Sequence, residues 1–272
     1  MSKRTSKLGP NGSISRRTAS AVALAAVAAV AVSACGSSSS GSTSSSSASS
    51  SSGASSSSTS SSSSSAASNG IASKSADQIL STAITAAEAA KSLHVVGAIK
   101  NGGQSIGLNL TIVAGKGASG TISEGSASFK LVDTGGSFYM QPDPAFLIKF
   151  AHSKAAADLF KGRWLKGSST DPSFASFGEL TSIKTLMGSL TQAHGTLTKG
   201  ATSTLQGQSV IALKSSKGGT MYVATTGQPY PLQVSKNSGG QSGTVRFTDY
   251  NKAFTITPPA NSINIEQLEK SG

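Results

Sequence analysis

Serine dominates one stretch of the chain so strongly that this stretch cannot form part of a folded core. Residues 36–70 contain 24 serines and no charged residue. Such a composition buries too little apolar surface to offset the conformational entropy lost on ordering. We therefore expect residues 35–71 to be a disordered tether. The remainder, residues 72–272, is long enough for one domain with a sizeable core.

The N-terminal residues have the layout of an export signal. Five basic residues precede an apolar run over residues 19–32, which is shorter than the roughly 20 residues that span a bilayer. The run ends in Val32-Ser33-Ala34-Cys35, which resembles the bacterial lipobox. That resemblance implies a signal peptide over residues 1–34 and a lipidated Cys35 at the mature N-terminus. Ordinary cleavage and an unprocessed membrane anchor are the alternatives.

The charge of the chain that follows the predicted signal is moderately basic. Five of the 23 basic residues lie in the signal, which leaves 18 against 11 acidic residues, a net charge of +7. This excess fits either a mildly basic soluble domain or attraction to an anionic membrane face or headgroup. The basic residues do not cluster strongly in the sequence, and aromatic and basic residues are not interleaved. We expect no nucleic acid as a partner.

The hydrophobic pattern predicts a helix, a strand meander, two helices and a second meander. A capping box at residues 75–78 opens a helix predicted over 76–92, and residues 106–112 alternate apolar and polar. Asp143-Pro144 starts a middle helix whose apolar residues extend to position 160. The remaining predicted elements are strands at 94–99, 120–124, 126–132, 137–141, 164–165, 195–197, 205–214, 219–225, 231–236, 243–250 and 254–257 and helices at 177–193 and 265–269. This order indicates α+β, with one curved antiparallel sheet and helices packed on one face.

No recognised catalytic or metal-binding motif appears. The glycine pattern at residues 115–120 has the spacing of a dinucleotide-binding loop, but a strand pattern follows it in place of a helix, so we interpret it as a hairpin turn. The single cysteine excludes a disulfide framework. His94, His152 and His194 show no zinc spacing. We expect no enzyme and no cofactor.

An excess of large apolar side chains marks the middle of the domain. They are either the core between helices and sheet or the lining of an apolar cavity for acyl chains. The candidate cavity residues are Phe138, Met140, Phe146, Leu147, Phe150, Phe160, Trp164, Phe177, Leu186, Met187 and Leu190.

Four features together resemble the actinobacterial cell-envelope lipoproteins of the LppX/LprAFG family. They are the lipobox with its serine-rich tail, the opening helix before His94-Val95-Val96-Gly97, the Gly136-Ser137-Phe138-Tyr139-Met140 strand before a helical insert, and the last strands. Those last strands carry Gly219-Thr220-Met221-Tyr222-Val223, Gly227-Gln228-Pro229-Tyr230-Pro231-Leu232 and Gly243-Thr244-Val245-Arg246-Phe247-Thr248-Asp249-Tyr250, closed by Pro258-Pro259. The resemblance implies the fold of LolA-like lipid carriers, a curved antiparallel half-barrel sheet with helices packed on its concave face. It also implies an apolar cavity that binds acylated lipids or glycolipids.

Three functions follow from these observations. The first is a lipoprotein on the outer face of the cell membrane that carries acylated lipid or glycolipid cargo across the envelope. The second is an envelope sensor or assembly factor that binds a protein partner through the same sheet, without lipid. The third is a hydrolase with an unrecognised site, for which nothing in the sequence selects a nucleophile.

Overall fold

A computed structural model describes residues 67–171, 174, 177–192 and 194–271. The predicted signal peptide, Cys35 and most of the predicted tether lie outside the described residues. The statements below concern the described part of the folded domain.

Twelve strands among the described residues form one open sheet. They are β1 (Ser92–Asn101), β2 (Gln104–Val113), β3 (Gly117–Glu124), β4 (Ala127–Asp133), β5 (Ser137–Pro142), β6 (Leu165–Ser168), β7 (Leu197–Leu205), β8 (Gln208–Ser215), β9 (Gly219–Ala224), β10 (Pro231–Ser238), β11 (Gln241–Thr248) and β12 (Ile263–Asn264). The spatial order is β12-β6-β5-β4-β3-β2-β1-β11-β10-β9-β8-β7. Neighbouring strands are antiparallel, except that β12 pairs with β6 in parallel.

Five α-helices accompany the sheet in this part of the chain, after a 3-10 turn at Ile71–Ser73. They are α1 (Ala76–Glu88), α2 (Pro144–Ala151), α3 (Lys154–Phe160), α4 (Ile183–Gln192) and α5 (Ile265–Ser271).

Helix α1 confirms the capping box predicted from the sequence. The Ser75 hydroxyl accepts a hydrogen bond from the Gln78 amide, and the Gln78 side chain accepts one from the Ser75 amide. Its residues at helical spacing, among them Ile79 and Ala83, are fully buried. Helix α1 therefore lies across the sheet with one apolar face inward.

The predicted middle helix is two helices. The Asp143 carboxylate caps α2 by accepting a hydrogen bond from the Phe146 backbone amide, as expected for an Asp-Pro pair at a helix start. The prediction that the helix continues to residue 160 is wrong. His152 adopts a left-handed conformation with φ of 50°, and the Ser153 hydroxyl caps α3 by accepting from the Ala156 amide. A serine that can cap a new helix thus divides the apolar segment.

Further boundaries differ from the prediction. Helix α1 ends at Glu88 and not at residue 92, because β1 begins at Ser92, and the strand predicted over 195–197 is β7, which spans Leu197–Leu205. The predicted strand at 205–214 is interrupted because Gln206 and Gly207, both with positive φ, form the two-residue turn between β7 and β8. Helix α4 begins at Ile183, since the Ser182 hydroxyl accepts from the Thr185 amide there. Residues 254–257 form no strand.

The sheet curves around α1, as predicted. Helix α1 packs against β10 and also against the edge strand β7. The Lys199 ammonium on β7 donates to the carbonyls of Ala72 and Lys74, just before α1. Gly97 and Gly120 permit the curvature, because a Cβ at either position would collide with the carbonyl of Thr244 or Asn109 on the next strand.

The predicted fold class is confirmed. The helices pack on one face of an open, mainly antiparallel sheet, and the core lies between them. On the helix-facing side, Leu93 pairs with Ile112 and Val95 pairs with Leu110, and all four are buried.

Candidate functional site

The aromatic residues of the middle segment pack on one another. The ring centroids of Phe138 and Phe174 are 4.8 Å apart, and those of Phe138 and Phe177 are 5.6 Å apart. Phe129 meets Phe146 and Phe177 edge-on at 5.0 and 5.1 Å. These distances are typical of favourable aromatic contacts, so this cluster fills the space between β4, β5 and the helical insert.

The eleven predicted cavity residues fall into three groups. Four are buried: Phe138, Met140, Leu147 and Met187. Six are half-buried: Phe146, Phe160, Trp164, Phe177, Leu186 and Leu190. Phe150 is 41% exposed. Leu190 is the one of these eleven that also lines the apolar cavity described next.

An apolar cavity of about 180 Å³ lies under α1 and α4, over strands β7 to β10. Its wall is built from one to three side chains per element, both apolar and polar. The apolar lining residues are Leu80, Leu190, Leu197, Leu213, Met221 and Val234. The polar ones are Ser189, His194, Ser215, Thr220, Ser235 and Lys236.

Strand register places this lining on one face. Leu213 of β8 lies opposite Met221 of β9, which in turn lies opposite Val234 of β10. Three hydrophobic side chains are thereby aligned across three strands, facing the helices. Sequence reasoning placed each strand approximately but did not find this row, because the row exists only once the hairpins fix the register.

The cavity is smaller than a usual ligand site. Pockets for small molecules occupy about 300–1,000 Å³, and this one holds about 180 Å³. In this conformation it can admit a segment of one alkyl chain. Helix α4 packs mainly against α1, so moving α4 outward would enlarge the cavity without separating strands.

A buried carboxylate fixes the segment that precedes α4. Asp133, at the end of β4, accepts from the Thr181 hydroxyl at 2.7 Å, from the Gly135 amide at 2.8 Å and from the Ser169 hydroxyl at 3.2 Å. Asp133 and Thr181 are 7% and 6% exposed. This network ties the start of α4 to the sheet. No local pattern predicts it, since its members are 36 and 48 positions apart along the chain.

A second, polar cleft of about 570 Å³ lies at the other ends of the strands. Arg246 donates to the Gln233 side chain there at 3.3 Å. Asp249 pairs with Lys252, and the hydrogen bond from that ammonium holds the pKa of Asp249 below its usual value. The remaining lining is mixed: Leu205, Gln206, Gln208, Ala224, Thr226, Gln228, Tyr230, Leu232, Phe247, Thr248 and Tyr250.

The two tyrosines beside this cleft explain the motifs of the last strands. The rings of Tyr230 and Tyr250 stack with centroids 4.0 Å apart. The Tyr250 hydroxyl donates to the Pro231 carbonyl at 2.7 Å, and the Asn251 side-chain amide (Nδ2) donates to the Tyr230 hydroxyl at 2.7 Å. Burial raises the pKa of Tyr250 far above its usual value, so it remains a hydrogen-bond donor. These residues close the end of the sheet.

The three histidines occupy separate structural positions. His94 lies within 2.8 Å of the Asn109 side-chain oxygen and 3.7 Å of Asp249. His152 ends α2, and the His194 ring contacts the Gly195 carbonyl at 2.6 Å. Among the described residues, no group of three histidine, cysteine or acidic side chains is arranged to hold a metal ion.

No protein-family model matches the chain, and no curated protein sequence matches it. Several solved structures do. LprF from Mycobacterium bovis is 12% identical, with 68% of this chain and 97% of that chain covered and a TM-score of 0.49. Lipoprotein LppX from Mycobacterium tuberculosis is 14% identical, with 66% and 99% covered and a TM-score of 0.43. These two are the lipoproteins that the sequence motifs resemble.

A third match is the complex of MucA and MucB from Pseudomonas aeruginosa. It is 14% identical, with 68% of this chain and 62% of that chain covered and a TM-score of 0.34. All three matches have TM-scores below 0.5, and the function argued below rests on the chain's own residues.

No helix among the described residues is long and apolar enough to cross a membrane.

Proposed function

We propose that the protein is a membrane-tethered, extracytoplasmic carrier that binds an acyl chain of a lipid or glycolipid between α4 and the sheet. The observation that carries this proposal is the cavity whose lining is formed by Leu80, Leu190, Leu213, Met221 and neighbouring apolar residues. Lipidated Cys35 would hold the domain on the outer face of the membrane. The domain would act by binding and release, without chemical change to the cargo.

The chemistry of the lining suits a hydrocarbon chain with a polar end. Each methylene buried in such a cavity contributes about 0.8 kcal/mol. Ser235 and Lys236 of β10 and His194, which follows α4, are polar residues of the lining. These groups could face the ester or headgroup of a lipid while the chain occupies the apolar interior.

Carrying a whole chain requires the cavity to open. About five buried methylenes would contribute roughly 4 kcal/mol, which is less than a full acyl chain loses on leaving a bilayer. We propose that α4 swings away from β8 and β9 while the Asp133–Thr181 contact holds its first turn. Half-buried Leu186 and Leu190 would then line the enlarged cavity.

The test is lipid mass spectrometry on the full chain purified from an actinobacterial host. We expect acylated lipid at near-stoichiometric amounts beyond the covalent anchor. Leu190→Trp should fill the cavity and remove the bound lipid. The matched control is Ile99→Trp, because Ile99 is 39% exposed and lies outside the cavity lining.

Two results would overturn the carrier proposal. One is a folded wild-type protein with no lipid beyond the anchor, which would favour the sensor or assembly factor and would call for crosslinking in the envelope. The other is equal lipid in Leu190→Trp and Ile99→Trp, which would place any bound lipid outside this cavity.

A further inference from the structure

Large exposed hydrophobic side chains concentrate on α2 and α3. Five such residues stand out in the described part of the chain, and three of them belong to this helical pair. Ile148 is 52% exposed, Phe150 is 41% exposed and Leu159 is 68% exposed. Single exposed hydrophobic residues are ordinary, but three within twelve positions of one insert indicate an interaction surface.

The sides of α2 and α3 that face the sheet are already packed against other residues. Helix α2 packs against β4 and against α3. Leu147 is buried, Phe146 contacts Phe129, and Ala157 of α3 is buried. Ile148 and Leu159 are therefore additional to the core, whereas Phe150 contacts Phe146 at 4.5 Å and remains partly exposed. We call the solvent-facing side of these two helices the α2–α3 surface.

The same segment is the most basic part of the folded domain. Residues 144–166 contain five basic residues, namely Lys149, Lys154, Lys161, Arg163 and Lys166. Asp158 is the one acidic residue within that range. The segment thus carries a net charge of +4, more than half of the +7 of the chain that follows the predicted signal.

Ion pairs leave part of this charge available. Lys149 pairs with Glu124 at 3.0 Å, and Lys154 pairs with Asp158 at 2.8 Å. Lys161 and Arg163 are exposed and form no ion pair with the described residues. These two cations follow directly after Leu159.

We propose that the α2–α3 surface rests on an anionic lipid bilayer, with Ile148 and Leu159, the two most exposed of the three side chains, in the interface and the cations at the headgroups. Exposed aliphatic and aromatic side chains beside lysine and arginine are the composition of interfacial membrane helices. Cores of protein–protein interfaces are depleted in lysine, so the charge favours a membrane over a protein partner.

This contact is separate from cargo binding. The α2–α3 surface lies on the β4 side of the sheet, whereas the apolar cavity lies over β7 to β10. The 31 residues between Cys35 and Ala67 could extend to roughly 100 Å. An anchor of that length would permit the domain to lie on the membrane but would not by itself place it there.

The test measures whether this surface enters lipid. The full chain carrying Leu159→Cys is labelled with an environment-sensitive fluorophore and reconstituted into vesicles of phosphatidylcholine with about one-third phosphatidylglycerol. Ser203→Cys, exposed on the opposite edge strand β7, is the matched control. The unsubstituted chain measures any label on Cys35. We expect blue-shifted emission at position 159, quenched by nitroxide-bearing lipids, and neither effect at position 203.

Charge variants test the headgroup contact. Replacing Lys161 and Arg163 by Gln should lower the docked-to-undocked ratio roughly fivefold for each cation, and Lys214→Gln on β8 should leave it unchanged. Equal quenching at positions 159 and 203, or no dependence on phosphatidylglycerol, would overturn the proposal. A blue shift without quenching by nitroxide lipids would also overturn it and would indicate that a protein or a second copy covers the surface. None of these results depends on whether the apolar cavity holds lipid.

Discussion

Phe138 is the residue at which a core position and a cavity position can be distinguished by experiment. Its side chain is 1% exposed and stacks on Phe174 and Phe177. Replacing such a phenylalanine by alanine removes buried surface and leaves a void, which costs about 3–5 kcal/mol. At about 2–4 °C per kcal/mol for a domain of this size, we expect Phe138→Ala to lower the melting temperature by roughly 6–20 °C.

The assays are urea unfolding of the full chain for the free energy and thermal unfolding for the melting temperature, both followed by the fluorescence of Trp164, the sole tryptophan. Phe150→Ala is the matched control. Its side chain is 41% exposed and contacts Phe146, so it should cost about 1 kcal/mol or less. Below its unfolding temperature, Phe138→Ala should retain the lipid that Leu190→Trp loses. A stability loss below about 1 kcal/mol for Phe138→Ala, or loss of lipid without loss of stability, would refute its assignment to the core.

Two further predictions concern polar contacts. Thr181→Val should destabilise the protein by about 1.5–3 kcal/mol in urea unfolding, because the buried Asp133 carboxylate loses a charge-assisted hydrogen bond; an unchanged midpoint would show that this bond does not hold α4. Lys252→Ala should raise the pKa of Asp249 toward its usual value, as measured by NMR titration. A carboxyl whose pKa falls on folding stabilises the fold above its unfolded pKa and loses that contribution in acid. The variant's deficit should therefore be present near neutral pH and shrink as the pH falls below the ordinary aspartate value of about 3.9 and through the lowered pKa of Asp249; a deficit that does not shrink in acid would contradict this.

Local signals in the sequence predicted most helix starts and strand pairs. The capping box at Ser75 and the Asp143-Pro144 pair form hydrogen bonds with residues only three positions away. Each can therefore be predicted from the sequence without knowledge of the fold. Strict alternation over residues 106–112 predicted β2 because one face of that strand is buried. The sequence does not predict the turn at Gln206, because a non-glycine residue rarely adopts a φ of 50° and glutamine is not typical of such turns.

The site was less accessible to sequence reasoning, for a physical reason. Aromatic content drew attention to Phe138 and Phe177, and large aromatic side chains are equally suited to filling a core. The cavity lining depends on Leu213, Met221 and Val234, which are ordinary strand residues until the register aligns them. The α2–α3 surface was likewise hidden, because exposure is a property of the packed helices and not of the hydrophobic pattern alone.

The central claim, that an acyl chain occupies the cavity under α4, is tested most directly by photocrosslinking. The full chain would be irradiated with a phospholipid bearing a photoreactive group near the end of one acyl chain, and the modified residues would be mapped by mass spectrometry. The proposed carrier function predicts modification at Leu80, Leu190, Leu213 or Met221, suppressed by Leu190→Trp. Crosslinks confined to the α2–α3 surface, or none in the folded domain, would contradict it.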